Sequence, residues 1–325
     1  MTIPSEGRRP DTGREKPSVG TFLKRSIISL RDMSVEDLLR IVETTGRVKR
    51  GEDSGFLEGI TVASLFFEPS TRTRLSFESA ILKSGGSVFG FANPSASSQS
   101  KGESFADSVR TVEGYCDAMV IRHPVEGAAR MASELVGIPV INAGDGSNQH
   151  PTQTFLDLFT ISESFGKLNG LRVGMMGDLK YGRTVHSLTH ALAMFGAELT
   201  FISPPTLRMP DQIKTELESS SVPYQEVLEP EEAASRSLDI LYVTRIQKER
   251  FGDPQEYESV AHSYRVTQDT VNLLGGEVKL MHPLPRVDEI AEEVDGLPNA
   301  IYFDQAHNGI PTRQALLGLV TGGLK

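Results

Sequence analysis

Two arginines and three hydroxyls fall within five residues of the segment FFEPSTRTRLSF (66–77), at Ser70, Thr71, Arg72, Thr73 and Arg74. An apolar run precedes them and a helix-compatible sequence follows, so the spacing puts them at a helix N-terminus. Backbone N–H groups there have no intrahelical partner, and the positive end of the helix dipole favours an anion. Hydroxyls and a guanidinium added to that end can bind a phosphate dianion. The simpler reading is a Ser/Thr N-cap beside two solvated arginines, although capping needs only one hydroxyl.

A second polar cluster, GDLKYGRTVHSL (177–188), also follows an apolar run and opens a helix. Gly177, Gly182, Arg183 and Thr184 nearly match a P-loop, but Arg183 stands where the phosphate-binding lysine belongs. A guanidinium fork suits a carboxylate as well as a phosphate, and an exposed arginine on a plain strand-to-helix turn is the alternative. In GDGSNQHPTQTFLDL, His150 and Gln153 lie three residues apart on one face of a first helical turn, where they could polarise one carbonyl. A structural histidine beside proline fits the same spacing. No partners at zinc spacing accompany it, so no metal site is expected. Further arginines follow apolar runs at Arg122, at Arg245 with Gln247 and Arg250, and at Arg286 after Leu284-Pro285. In open parallel sheets ligands bind beyond the carboxyl ends of strands, which is where such residues would lie.

These clusters need a scaffold that delivers strand ends to one place. Short apolar runs at 60–67, 87–91, 118–121, 139–143, 172–177, 198–203, 239–244, 278–283 and 300–303 read as buried strands separated by helix-compatible segments. That alternation predicts an α/β chain with mainly parallel sheets flanked by helices. With 325 residues, about two domains are expected. The junction falls along a helix at 150–166. From the sequence, residues 1–20, which lie outside the residues described below, are expected to be a flexible tail, 21–150 a first domain, 151–304 a second and 305–325 a terminal helix.

Composition narrows the function. A formal net charge of −10 argues against nucleic-acid or anionic-membrane partners, while leaving room for a local anion pocket. No run approaches the ~18 apolar residues of a membrane span. Cys116 is the single cysteine, so no intrachain disulfide or thiolate cluster can form, and a reducing, cytoplasmic setting fits.

Taken together and in order, seven motifs between about residues 25 and 320 resemble the aspartate carbamoyltransferase catalytic chains. They are STRTR at 70–74, SKGE at 100–103, RHP at 122–124, HPTQ at 150–153, GDLKYGRT at 177–184, TRIQKER at 244–250 and HPLPR at 282–286. The resemblance implies the two-domain transcarbamoylase fold, with the terminal helix returning to the first domain. It also implies transfer of the carbamoyl group of carbamoyl phosphate to L-aspartate, without metal or organic cofactor. By position, Ser70, Thr71, Arg72 and Thr73 would hold the phosphate, and Thr73, Arg122 and His150 would contact the carbonyl oxygen. Gln153 and the carbonyls of Leu284 and Pro285 would meet the carbamoyl amino group. Arg183, Arg245 and Gln247 would take the aspartate carboxylates. A homotrimer is implied, in which Ser97 and Lys101 reach the neighbouring subunit's site; a separate regulatory chain is a further partner the family admits.

Two other readings compete. An ornithine transcarbamoylase would share the phosphate half, but His-Pro-Leu-Pro stands here where that family typically carries His-Cys-Leu-Pro, and two arginines do not suit a cationic side chain. A P-loop-like NTPase is weakened by Arg183.

Overall fold

Parallel pairing organises the whole chain. The structure is a computed structural model and describes residues 21–92, 102–246, 251–260 and 264–325. The first four strands are β1 (Thr61–Phe66), β2 (Ser87–Phe91), β3 (Ala118–His123) and β4 (Val140–Asp145), in the order β2-β1-β3-β4, all parallel. The helices around them are α1 (Val35–Lys49), α2 (Thr71–Lys83), α3 (Phe105–Glu113) and α4 (Ala128–Leu135). Along β1, Val62 and Phe66 face the core shared with the helices, while Ala63 and Leu65 pack into a separate cluster on the other face. Both faces are covered, which is why this run is mostly apolar, with Ser64 buried too, instead of alternating.

The second sheet contains β5 (Arg172–Met176), β6 (Glu198–Ile202), β7 (Tyr224–Val227), β8 (Ile240–Val243) and β9 (Lys279–Met281), ordered β7-β6-β5-β8-β9, again all parallel. Helices α7 (Asp211–Ser219), α8 (Pro230–Ala233), α9 (Pro254–Val260) and α10 (Gln268–Leu273) lie between its later strands in the sequence. Strand β7 has no counterpart among the apolar runs. It is an edge strand with every residue half-buried, so its sequence YQEV needs no continuous apolar face. The run at 300–303 reads as a strand but is not one. Ala300 makes an isolated bridge to Leu280, and helix α11 (Tyr302–His307) begins two residues later. Four apolar residues carry too little periodicity to separate the two outcomes.

Between the sheets runs α5 (Pro151–Phe165), begun by Pro151 in the first turn and buried along nearly its whole length. It packs on α1 and β4, and also on α6 (Arg183–Met194) of the second half. One hydrophobic core therefore includes Phe66 and Val120, Phe155 and Phe159 of α5, and Val173 and Phe201 of the second sheet. The last helix, α12 (Gly309–Thr321), packs against α1, α2 and α5. Because every pair is parallel, the carboxyl ends of β1, β3 and β4 share one edge and those of β5, β8 and β9 another. The two edges meet over the start of α5.

Candidate active site

At the end of β1 the chain passes Glu68-Pro69 and enters α2 with Ser70 at the N-cap (φ −156°, ψ 95°). The Ser70 hydroxyl makes no capping hydrogen bond, and the first turn of α2 has no acidic residue. The capping reading therefore does not account for the hydroxyls: the helix leaves its positive end open, and that end borders a cleft of about 1000 Å³. Ser70, Thr71, Arg72 and Thr73 all line it. Arg74 is turned away and bonded along the helix to Glu78 at 3.0 Å.

The parallel register places Arg122 of β3 beside Phe66, next to this helix start. Its guanidinium is buried, ion-paired to Glu68 at 3.0 Å and bonded to the Ala143 carbonyl at 3.2 Å. His150 is the N-cap residue of α5, 5% exposed, with Nδ1 3.4 Å from the Thr152 hydroxyl. Burial and the charges of Arg183, Arg122 and Arg313 hold its imidazole well below the usual range. It is therefore neutral near pH 7, able to donate one hydrogen bond to a carbonyl oxygen without carrying a charge. Gln153 lines the cleft one turn further along the same helix.

From the second half, Gly182 is the N-cap of α6 and Arg183 its first residue. The Arg183 guanidinium reaches across to donate to the carbonyl of Gly146. A Cβ at Gly144 (φ +118°) would come 2.9 Å from Arg122 Nη1 and 3.3 Å from Arg183 Nη2, so only glycine lets both guanidiniums pass there. Unlike a P-loop lysine, then, Arg183 spans the two sheets. Arg245 follows β8, and burial together with its charge lowers the pKa of Arg72. Two cations that raise each other's energy across an open cleft are arranged for an anion between them.

After β9 the chain turns through His282-Pro283-Leu284-Pro285, with a cis bond before Pro285 and Leu284 at φ 53°. His282 fixes this turn: its Nδ1 accepts from the Leu284 N–H at 2.8 Å, and its Nε2 donates to Glu289 at 2.7 Å. Burial pulls the His282 pKa down, consistent with that neutral tautomer. Leu284 and Pro285 line the cleft. Arg286 does not; it binds Asp295 and lies over the Tyr302 ring.

The cleft thus collects Arg72, Arg122, Arg183, Arg245 and Arg313 against one carboxylate, Glu68, among the described residues. Sequence reasoning gave no site role to Glu68, Arg313, His282 or Gln305, all of which border it. Glu68 was adjacent to the first motif; Arg313 had no local signal, because only the packing of α12 brings it there. Ser97, Lys101, Gln247 and Arg250 lie outside the described residues. Among the described residues, no group of three His, Cys, Asp or Glu side chains is placed to hold a metal ion.

Residues 25–163 match the family model "Aspartate/ornithine carbamoyltransferase, carbamoyl-P binding domain", and residues 169–320 match its "Asp/Orn binding domain". The aspartate carbamoyltransferase catalytic subunit of Methanopyrus kandleri is 54% identical over 310 residues, covering 94% of this chain and all of that subunit. The chain belongs to the aspartate carbamoyltransferase family. Its fold agrees with family members solved by crystallography. The catalytic subunit of M. jannaschii aspartate transcarbamoylase superposes with a TM-score of 0.83 at 48% identity, covering 90% of this chain and 97% of that one. The Trypanosoma cruzi enzyme, crystallised with carbamoyl phosphate and aspartate, gives 0.85 at 36% identity, covering 94% and 99%.

Proposed function

We infer that this chain transfers the carbamoyl group of carbamoyl phosphate to the α-amino group of L-aspartate, giving N-carbamoyl-L-aspartate and phosphate in pyrimidine biosynthesis. The observation that carries this reading is the open N-terminus of α2 facing Arg183 and Arg245 across one cleft. One end suits a phosphate, and the other suits a dicarboxylate.

In this assignment Ser70, Thr71, Arg72 and Thr73 hold the phosphate. Thr73, Arg122 and neutral His150 donate to the carbonyl oxygen, while Gln153 and the carbonyls of Leu284 and Pro285 accept from the carbamoyl amino group. Arg183, Arg245 and Gln247 take the aspartate carboxylates. The deprotonated amine attacks the carbonyl carbon, an oxyanion forms, the carbon–oxygen bond to phosphate breaks, and the departing phosphate accepts the surplus amine proton. Fixed donors at the developing oxyanion are worth about 3–4 kcal/mol each when removed singly. Holding two mutually repelling anions in reacting geometry supplies about 7 kcal/mol or more. Supply of Ser97 and Lys101 by a neighbouring subunit of a homotrimer belongs to the same proposal, supported by the motif at 100–103.

The test is product analysis after incubation with carbamoyl phosphate and either L-aspartate or L-ornithine. Carbamoyl-aspartate with stoichiometric phosphate is expected; carbamoyl-ornithine alone would overturn the assignment of Arg183 and Arg245.

A further inference from the structure

Below the floor of the cleft lies a buried carboxylate that the mechanism does not use. Asp157, on α5 one turn beyond Gln153, is fully buried and accepts three hydrogen bonds. Gln153 Nε2 donates to its Oδ1 at 2.9 Å, and Gln305 Nε2, from α11, donates to the same oxygen at 2.6 Å. The Tyr242 hydroxyl, from β8, donates to Oδ2 at 2.9 Å. The other end of the Gln305 amide accepts the His282 N–H at 2.8 Å, immediately before the Pro283-Leu284-Pro285 turn. A backbone N–H can only donate, so Gln305 must present its oxygen there and its NH₂ to Asp157.

A primary amide can present either end to the cleft, and the two choices are opposite in sign. Gln153 assists a carbamoyl NH₂ only with its oxygen outward; inverted, it would set donor against donor. Asp157 Oδ1 removes the choice: the fixed Gln305 NH₂ makes that oxygen an acceptor, so the Gln153 amide must also turn its NH₂ towards it. Accepting the carbamoyl-transfer reading, we propose that Asp157 is a positioning residue: it sets the direction of the Gln153 amide, while Gln305, itself oriented by the His282 N–H, holds the same carboxylate oxygen in place. One carboxylate thereby joins Gln153 of α5, through Gln305, to the residue that opens the turn after β9. Burial pushes the Asp157 carboxyl up to about 7 even with the three donors and the Arg313 charge favouring the ionised form; Oδ1 remains an acceptor whether or not Oδ2 carries a proton.

Asp157→Asn tests this, since its size is retained but a donor is introduced that permits the inverted Gln153 amide. The expected result is a fall in kcat of about tenfold with KM for carbamoyl phosphate changed less than about threefold, because the phosphate contacts are untouched. In a Gln153→Ala background the same substitution should cost less than about twofold, the two residues acting as one unit. A purely structural role would not produce that coupling. Tyr242→Phe is the second variant, for use if Asp157→Asn does not fold; it removes one donor to Asp157 and should lower kcat about threefold, again only when Gln153 is present. Wild-type kcat in the folded variant, or a full loss that persists with Gln153→Ala, overturns the proposal. A wild-type chain that forms no carbamoyl-aspartate overturns the reaction assignment and this inference with it; an active chain with additive effects overturns this inference alone.

Discussion

Arg72 and Arg74 sit two residues apart on α2 and should respond to alanine in opposite ways. Arg72 lines the cleft, is raised in energy by burial and by Arg245, and forms no ion pair among the described residues. Removing it relieves a like-charge repulsion and deletes no side-chain bond to a described residue, so folding stability should change by no more than about 0.5 kcal/mol. Turnover should suffer heavily. A charge-assisted donor at the phosphate of the transition state is worth about 3–4 kcal/mol, which is a loss of about 10²–10³-fold in kcat/KM. Arg74, held by Glu78 at 3.0 Å and absent from the cleft wall, offers the converse. Its i,i+4 pair is worth about 0.3–0.5 kcal/mol, and Arg74→Ala should leave turnover within about twofold. Both variants are compared by initial-rate assays of carbamoyl-aspartate and by urea unfolding. Near-normal kcat/KM for Arg72→Ala, or an equal loss for both variants, would refute the placement of phosphate at this helix end.

Other perturbations probe the scaffold. Gly177 (φ +116°) ends β5 where a Cβ would lie 2.2 Å from the Thr244 carbonyl oxygen, so Gly177→Ala must part the ends of β5 and β8. It should cost about 3 kcal/mol or more, and an unchanged melting temperature would contradict that close approach. His150 stays neutral when folded, whereas the unfolded chain takes up a proton there as pH falls through the ordinary imidazole value of 6.5. The unfolded state then binds more protons at that group, so its part of the stability decreases as pH drops below about 6.5, and His150→Gln should remove that part. Urea midpoints at about pH 7.5 and 5.5 check the sign: the raised Asp157 carboxyl pushes stability the other way over the same range, so the wild type must lose more, or gain less, on acidification than His150→Gln, and the reverse order would refute the reasoning. For the shared site, mixing inactive Lys101→Ala and Arg183→Ala chains should restore part of the activity in verified hybrids, and no recovery would remove the proposal.

Much of this arrangement was legible in the chain itself. Apolar runs bounded by turn residues marked eight of the nine described strands, because most of these strands are largely buried on both faces and so are predominantly apolar. The cleft-lining residues were legible for a related reason: Ser70–Thr73, Arg122, Arg183 and Arg245 lie at or a few residues beyond the ends of those runs, and the carboxyl ends of parallel strands are where a ligand can reach. Local signals failed where they were weak or absent. The half-buried edge strand at 224–227 needs no apolar face, and the four apolar residues at 300–303 fit a strand or a helix equally well. Composition and spacing determined that the chain alternates strands with helices and concentrates positive charge at strand ends. Only the tertiary structure decided that both strand edges share one cleft, that Arg313 enters it from α12, and that Asp157 joins Gln153 to the turn after β9. Those contacts link residues 148 positions apart, as between Asp157 and Gln305, and no period or motif carries information over such a separation. Packing of α5 against both sheets does.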